Sequence, residues 1–130
     1  LPDEINQIDW SLKNRYQQVF NYHKGLIALR KAHPAFRMVL PDEIRKNLVF
    51  YPTPDWVIAF SLNDHANGDP WKTIFVVFNA GIGPESVTLP ADGPWQIAAD
   101  GNCAGLKALG TISGNMAKIP AGSALILYQE

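Results

Sequence analysis

Two hydrophobic rhythms divide the chain. From Ser11 to about His33, apolar residues recur every three or four positions, at Leu12, Tyr16, Val19, Phe20, Tyr22, Leu26, Ile27 and Leu29. That spacing predicts one long amphipathic helix. Asp9 or Ser11 supplies an N-cap, and His33-Pro34 ends the helix, because the residue before a proline is pushed out of the α region. Arg30, Lys31 and His33 suit the negative end of the helix dipole. Gly25 sits in mid-helix, where glycine costs about 1 kcal/mol relative to alanine. Its presence is explained if another backbone comes close there.

Past Pro34 the period shortens. Pro41–Arg45 reads as a short helical turn, with Asp42 and Glu43 favourable at its start. From Leu48 onward, short β-prone runs alternate with Gly, Pro, Asn and Asp. They predict strands at Leu48–Tyr51, Trp56–Leu62, Thr73–Asn79, Ser86–Leu89, Trp95–Ala99, Thr111–Ser113, Met116–Ile119 and Ala124–Tyr128. Ser113-Gly114-Asn115-Met116 is expected to be a tight hairpin turn. The expected fold is mostly β: an antiparallel sandwich of about seven or eight strands, preceded by one long amphipathic helix.

The apolar face of that helix is wide. Either the sandwich covers all of it, or a further surface is needed, which a second copy of the chain could supply by self-association.

Composition narrows the function classes. With 47% hydrophobic and 18% charged residues, the chain has enough apolar area to build a core. The net charge is -1 and the basic residues are scattered, so no stripe exists to neutralise a phosphate backbone, and nucleic acid is not an expected partner. Apolar runs such as Ile74–Phe78 are too short to span a bilayer, so no membrane partner is expected. The single cysteine, Cys103, excludes an intramolecular disulfide framework and a cysteine-rich metal site. The opening Leu1-Pro2-Asp3, without an initiator methionine, is read as a cut from something longer.

Candidate chemistry is sparse. Twelve acidic residues invite a search for the acid and nucleophile of a glycosidase, but most fall in turns, at caps or at the terminus. His23, His33 and His65 lack the paired spacing of a zinc helix. Asn63–Asp69 has oxygen ligands and a glycine, yet not the spacing or closing glutamate of a calcium loop. No metal and no cofactor is expected. Trp56, Trp71 and Trp95 each start or precede a strand. They are candidate stacking platforms for sugar rings, weighed against the reading that they close the ends of the sandwich.

Two strings are more specific. Pro2-Asp3-Glu4-Ile5-Asn6-Gln7-Ile8-Asp9-Trp10 and Asn21-Tyr22-His23-Lys24-Gly25-Leu26-Ile27-Ala28-Leu29-Arg30-Lys31-Ala32-His33-Pro34-Ala35-Phe36-Arg37 resemble the end of a type I pullulanase catalytic domain. These debranching enzymes belong to the α-amylase family of glycoside hydrolases. Trp71–Asn79 and Ile126-Leu127-Tyr128 are similar to that family's C-terminal β-sandwich, so the resemblance covers essentially the whole chain.

The resemblance implies that residues 1–47 end a catalytic (β/α)8 barrel, as its last loop, last helix and a connecting turn. Residues 48–130 are then the C-terminal sandwich. The barrel wall becomes the partner of the wide helix face. In such barrels the active residues sit at the C-terminal ends of the strands, and no residue here matches the family's catalytic motifs. The implied function is therefore that of a structural, non-catalytic C-terminal fragment of an enzyme that cleaves α-1,6-glucosidic links in pullulan, starch or glycogen. Its α-glucan partner is reached through the barrel. Pro2–Trp10 would border the substrate cleft, with Asp3 and Asn6 within reach of a bound glucan, while Asp9 and Trp10 cap and seat the helix. The alternatives are a stand-alone α-glucan-binding module and a plain interaction domain.

Overall fold

The computed structural model describes residues 2–130. Leu1, the first residue of the stretch expected to border a cleft, lies outside the described residues. The helical part precedes the sheets, as the change of period predicts. It is divided into α1 (Asp3–Asn6), α2 (Ser11–Arg15), α3 (Gln17–Ala32), a 3-10 turn (Pro34–Arg37) and α4 (Pro41–Asn47).

The long helix is thus not continuous. At Tyr16 the backbone leaves the α region (φ -116°, ψ 47°), splitting the expected Ser11–His33 helix into α2 and α3. Periodicity does not report such a break, because both pieces keep their apolar stripe across it. Asp9 anchors the start of α2: its Oδ1 accepts from the Ser11 amide at 3.0 Å and from the Ser11 hydroxyl at 2.6 Å. Those two bonds hold the Asp9 carboxyl below its ordinary pKa.

Eight strands follow: β1 (Leu48–Tyr51), β2 (Val57–Leu62), β3 (Thr73–Asn79), β4 (Glu85–Thr88), β5 (Trp95–Ala99), β6 (Thr111–Ile112), β7 (Met116–Ile119) and β8 (Ser123–Gln129). All pairings are antiparallel. Six strands form one sheet in the order β1-β2-β3-β8-β5-β6, and β4 with β7 forms a second. The sandwich is therefore lopsided, with a short two-stranded layer on one face of a wide sheet. The turn at Ser113–Met116 does not close a hairpin. β6 pairs with β5 and β7 with β4, so Gly114, at φ +87°, carries the chain from one sheet to the other.

Because successive strand residues point to opposite faces, the six-stranded sheet carries two cores. Phe75, Val77, Leu125 and Leu127 face the small sheet, where they share a core with Val87, Ala117 and Ile119 and with Trp95 of β5. Ile74, Val76, Ile126 and Tyr128 face the helical side and pack with Leu29, Ala35 and Trp71. β3 is buried on both faces along most of its length, as a central strand paired with both β2 and β8 must be.

The helix is covered only at its C-terminal half. Leu29 is buried and Leu26 packs on the sheet. A side chain at Gly25 would run into the Ala104 backbone, and Tyr22 donates from its hydroxyl to the Asp100 carbonyl at 2.7 Å. The close backbone approach expected at Gly25 is therefore real. Leu12, Tyr16, Val19 and Phe20 all stay exposed, with the Lys13 ammonium lying over the Phe20 ring at 4.4 Å. On the same side of the sheet as α3, Phe50, Ile58 and Phe78 are exposed as well.

Candidate functional site

The three candidate tryptophans part company. Trp95 is fully buried at the start of β5, and its indole N–H donates to the Ala91 carbonyl at 3.0 Å. Trp71 is buried with both ring faces taken. His33 stacks on it with centroids 3.5 Å apart and Tyr128 with centroids 3.7 Å apart, the latter pair nearly parallel at 7°. Neither ring has a face left for a sugar, so burial removes both as stacking platforms. Their area serves the core instead. Trp56 differs, being 77% exposed in the turn before β2.

Asp3 and Asn6 lie together on the single turn of α1, both exposed. The Asn6 amide reaches only the Pro2 carbonyl, at 3.5 Å.

A polar cluster held in the interior joins the end of α3 to the loop before β3. Asp69 is the only buried carboxylate among the described residues. One of its oxygens accepts from the Trp71 amide at 2.9 Å and lies 3.0 Å from His33 Nδ1, and the other accepts from the Ala35 amide at 3.1 Å. Asn67 donates to the Pro34 carbonyl at 2.8 Å. The Asn63–Asp69 loop is thus a clasp on the helix end. It needs three non-glycine residues, Asp64, His65 and Asn67, in the left-handed region to make the turn. By local sequence Asp69 is a turn former and His33 a helix stop, and no local signal pairs residues 36 apart.

Other acids serve local structure. Asp100 is engaged by the Asn102 and Cys103 amides, both at 2.8 Å, and Asp42 pairs with Arg45 at 3.0 Å on an exposed helix. His23 Nδ1 turns back to the Val19 carbonyl and His65 Nδ1 to the Asp69 carbonyl, each at 3.0 Å.

Comparison with known proteins supplies what the geometry lacks. The family described as pullulanase, all-beta domain, matches residues 44–103. A pullulanase of Bacillus subtilis is 38% identical over 100 residues. The solved pullulanase from Bacillus acidopullulyticus superposes with a TM-score of 0.92 at 42% identity over 98% of this chain. The chain belongs to the pullulanase family.

A pullulanase from Anoxybacillus, solved with maltotetraose, gives a TM-score of 0.87 at 33% identity over 99% of the chain. Because these matches cover nearly all of it, the helices and the sheets together have counterparts in the pullulanases. The chain spans only a small part of each relative: 14% of the Bacillus subtilis protein, 15% of the Bacillus acidopullulyticus chain and 18% of the Anoxybacillus one.

Proposed function

We propose that this chain is a non-catalytic, structural part of a larger pullulanase that hydrolyses α-1,6-glucosidic links in pullulan, starch or glycogen. The observation that carries this reading is the exposed apolar surface running from the helix to the sheet. Val19 is 55% and Phe50 66% exposed, with Leu12, Tyr16, Ile58 and Phe78 open beside them. Monomeric soluble proteins rarely leave apolar surface of that extent uncovered. A chain matching about one-seventh of its relatives has a natural cover in the rest of such a protein.

In this reading residues 2–47 finish a (β/α)8 barrel and residues 48–130 shield it from outside. α2 and α3 lay their Leu12–Phe20 face on the barrel, and Phe50, Ile58 and Phe78 extend the contact. Asp3 and Asn6, ahead of that helix, border the glucan cleft at the C-terminal side of the barrel strands. The α-glucan partner of the whole protein is that of its relatives, one of which is solved both with maltotriose and with maltotetraose.

The test is a pullulan-hydrolysis assay on the purified 130-residue chain beside the full product of its gene. Release of reducing sugar by the longer product and none by the chain is the expected result. Hydrolysis by the chain alone, or a native product of 14.4 kDa without activity, overturns it.

A further inference from the structure

Trp56 is held where most side chains are not. Its backbone is left-handed, at φ +68°, in the third position of the Pro54-Asp55-Trp56-Val57 turn, a place that favours glycine. The turn is fixed from several sides. The Val57 amide donates to the Pro54 carbonyl at 3.3 Å, the Thr53 hydroxyl to the Val57 carbonyl at 2.6 Å, and the Ala80 amide to the Trp56 carbonyl at 2.8 Å. Pro52 and Pro54 stiffen the approach. For this strain the molecule gains no burial, since the ring is 77% exposed.

The neighbouring loop is equally fixed. Asn79 is buried, accepts from the Gly81 amide at 2.9 Å and donates to the Gly83 and Ile119 carbonyls at 3.0 and 3.1 Å. A side chain at Gly81 would meet the Trp56 Cβ, and Ile82 beyond it is wholly exposed. Pro52, Thr53 and Pro54, which lead into the turn, line a groove of about 420 Å³ together with Ser86, Val87 and Leu89. An outward aromatic plane on a rigid turn suits the flat, neutral face of a sugar ring.

We propose that Trp56 is a stacking platform for an α-1,4-linked glucan chain, forming a surface site on the sandwich that requires no catalytic residue. The inference rests on the pullulanase reading for its choice of sugar. Strain spent on an exposed ring is the mark of a functional position. The pre-set turn lets the ring bind without ordering a loop first.

Retardation of the 130-residue chain in a gel cast with soluble starch, and calorimetry with maltotetraose, test it. The chain is expected to be retarded. Trp56→Gly suits the backbone, so it keeps the thermal midpoint or raises it while lowering affinity by about tenfold or more. Wild-type mobility unaffected by starch, or Trp56→Gly with unchanged retardation and an intact fold, overturns the site. Neither result bears on hydrolysis by the longer gene product, so the two readings fail separately.

Discussion

His33 and Asp69, 36 residues apart, meet inside the protein with Nδ1 and Oδ1 separated by 3.0 Å. This contact fastens the last turn of α3 to the loop that leads into β3. The Trp71 ring lies against His33, and the Trp71 amide binds the same carboxylate oxygen.

Asp69→Ala removes the acceptor for three groups at once and leaves them in a dry interior. Leaving a buried donor without its acceptor costs about 1–3 kcal/mol, so urea unfolding of the variant is expected to show a loss of about 3 kcal/mol. A loss below about 1 kcal/mol would mean that the cluster is solvated rather than sealed.

At Gly25 two effects oppose each other. Alanine would gain about 1 kcal/mol of helix propensity. Its methyl group, however, meets the Ala104 backbone, which has no rotamer to yield. Overpacking costs about 1–3 kcal/mol. Gly25→Ala is therefore expected to destabilise, with a lowered thermal midpoint. A raised midpoint would show that the 99–104 loop gives way.

Tyr22 sets an alkaline limit. Desolvation of its half-buried phenol, reinforced by negative charge at Asp100 and Cys103, raises it above the ordinary value of 10.0. Desolvation, then Glu130, does the same at Tyr128. A raised acid holds its proton more tightly in the folded state than in the unfolded chain. This contribution to stability is thus complete below 10.0 and is lost as pH rises through the folded value. Denaturant midpoints across that range are expected to fall, and Tyr22→Phe to fall less steeply. An equal slope for both would remove Tyr22 as a cause.

The exposed helix face makes a further expectation. The 130-residue chain should bind a hydrophobic dye and sediment with concentration-dependent mass. Val19→Gln with Phe20→Gln should suppress both, while changing stability by no more than about 0.5 kcal/mol each. Dye binding that persists in the double variant would shift attention to Phe50, Ile58 and Phe78.

Much of this molecule is legible in its residues alone. The change from a three-four to a two-residue period separates helix from strands because each period reports which face an isolated element must bury. The glycine inside α3 reports a close approach for the same local reason: no side chain was tolerated there. The runs Leu48–Tyr51 and Met116–Ile119 match their strands end to end, bounded by turn residues.

Other features depend on residues far apart in the chain. The break at Tyr16, the passage of Gly114 between sheets and the clasp of His33 on Asp69 are decided by which surfaces meet, not by local preference. The tryptophans make the point most directly. Trp56, Trp71 and Trp95 look alike in sequence, each at the start of a strand. Only packing buries Trp95, shuts Trp71 between His33 and Tyr128, and leaves Trp56 facing water. Local sequence determines which segments are helix and strand, because propensity and period act over a few residues. Tertiary structure alone decides which aromatic ring remains free, because burial is set by whatever the fold brings against it.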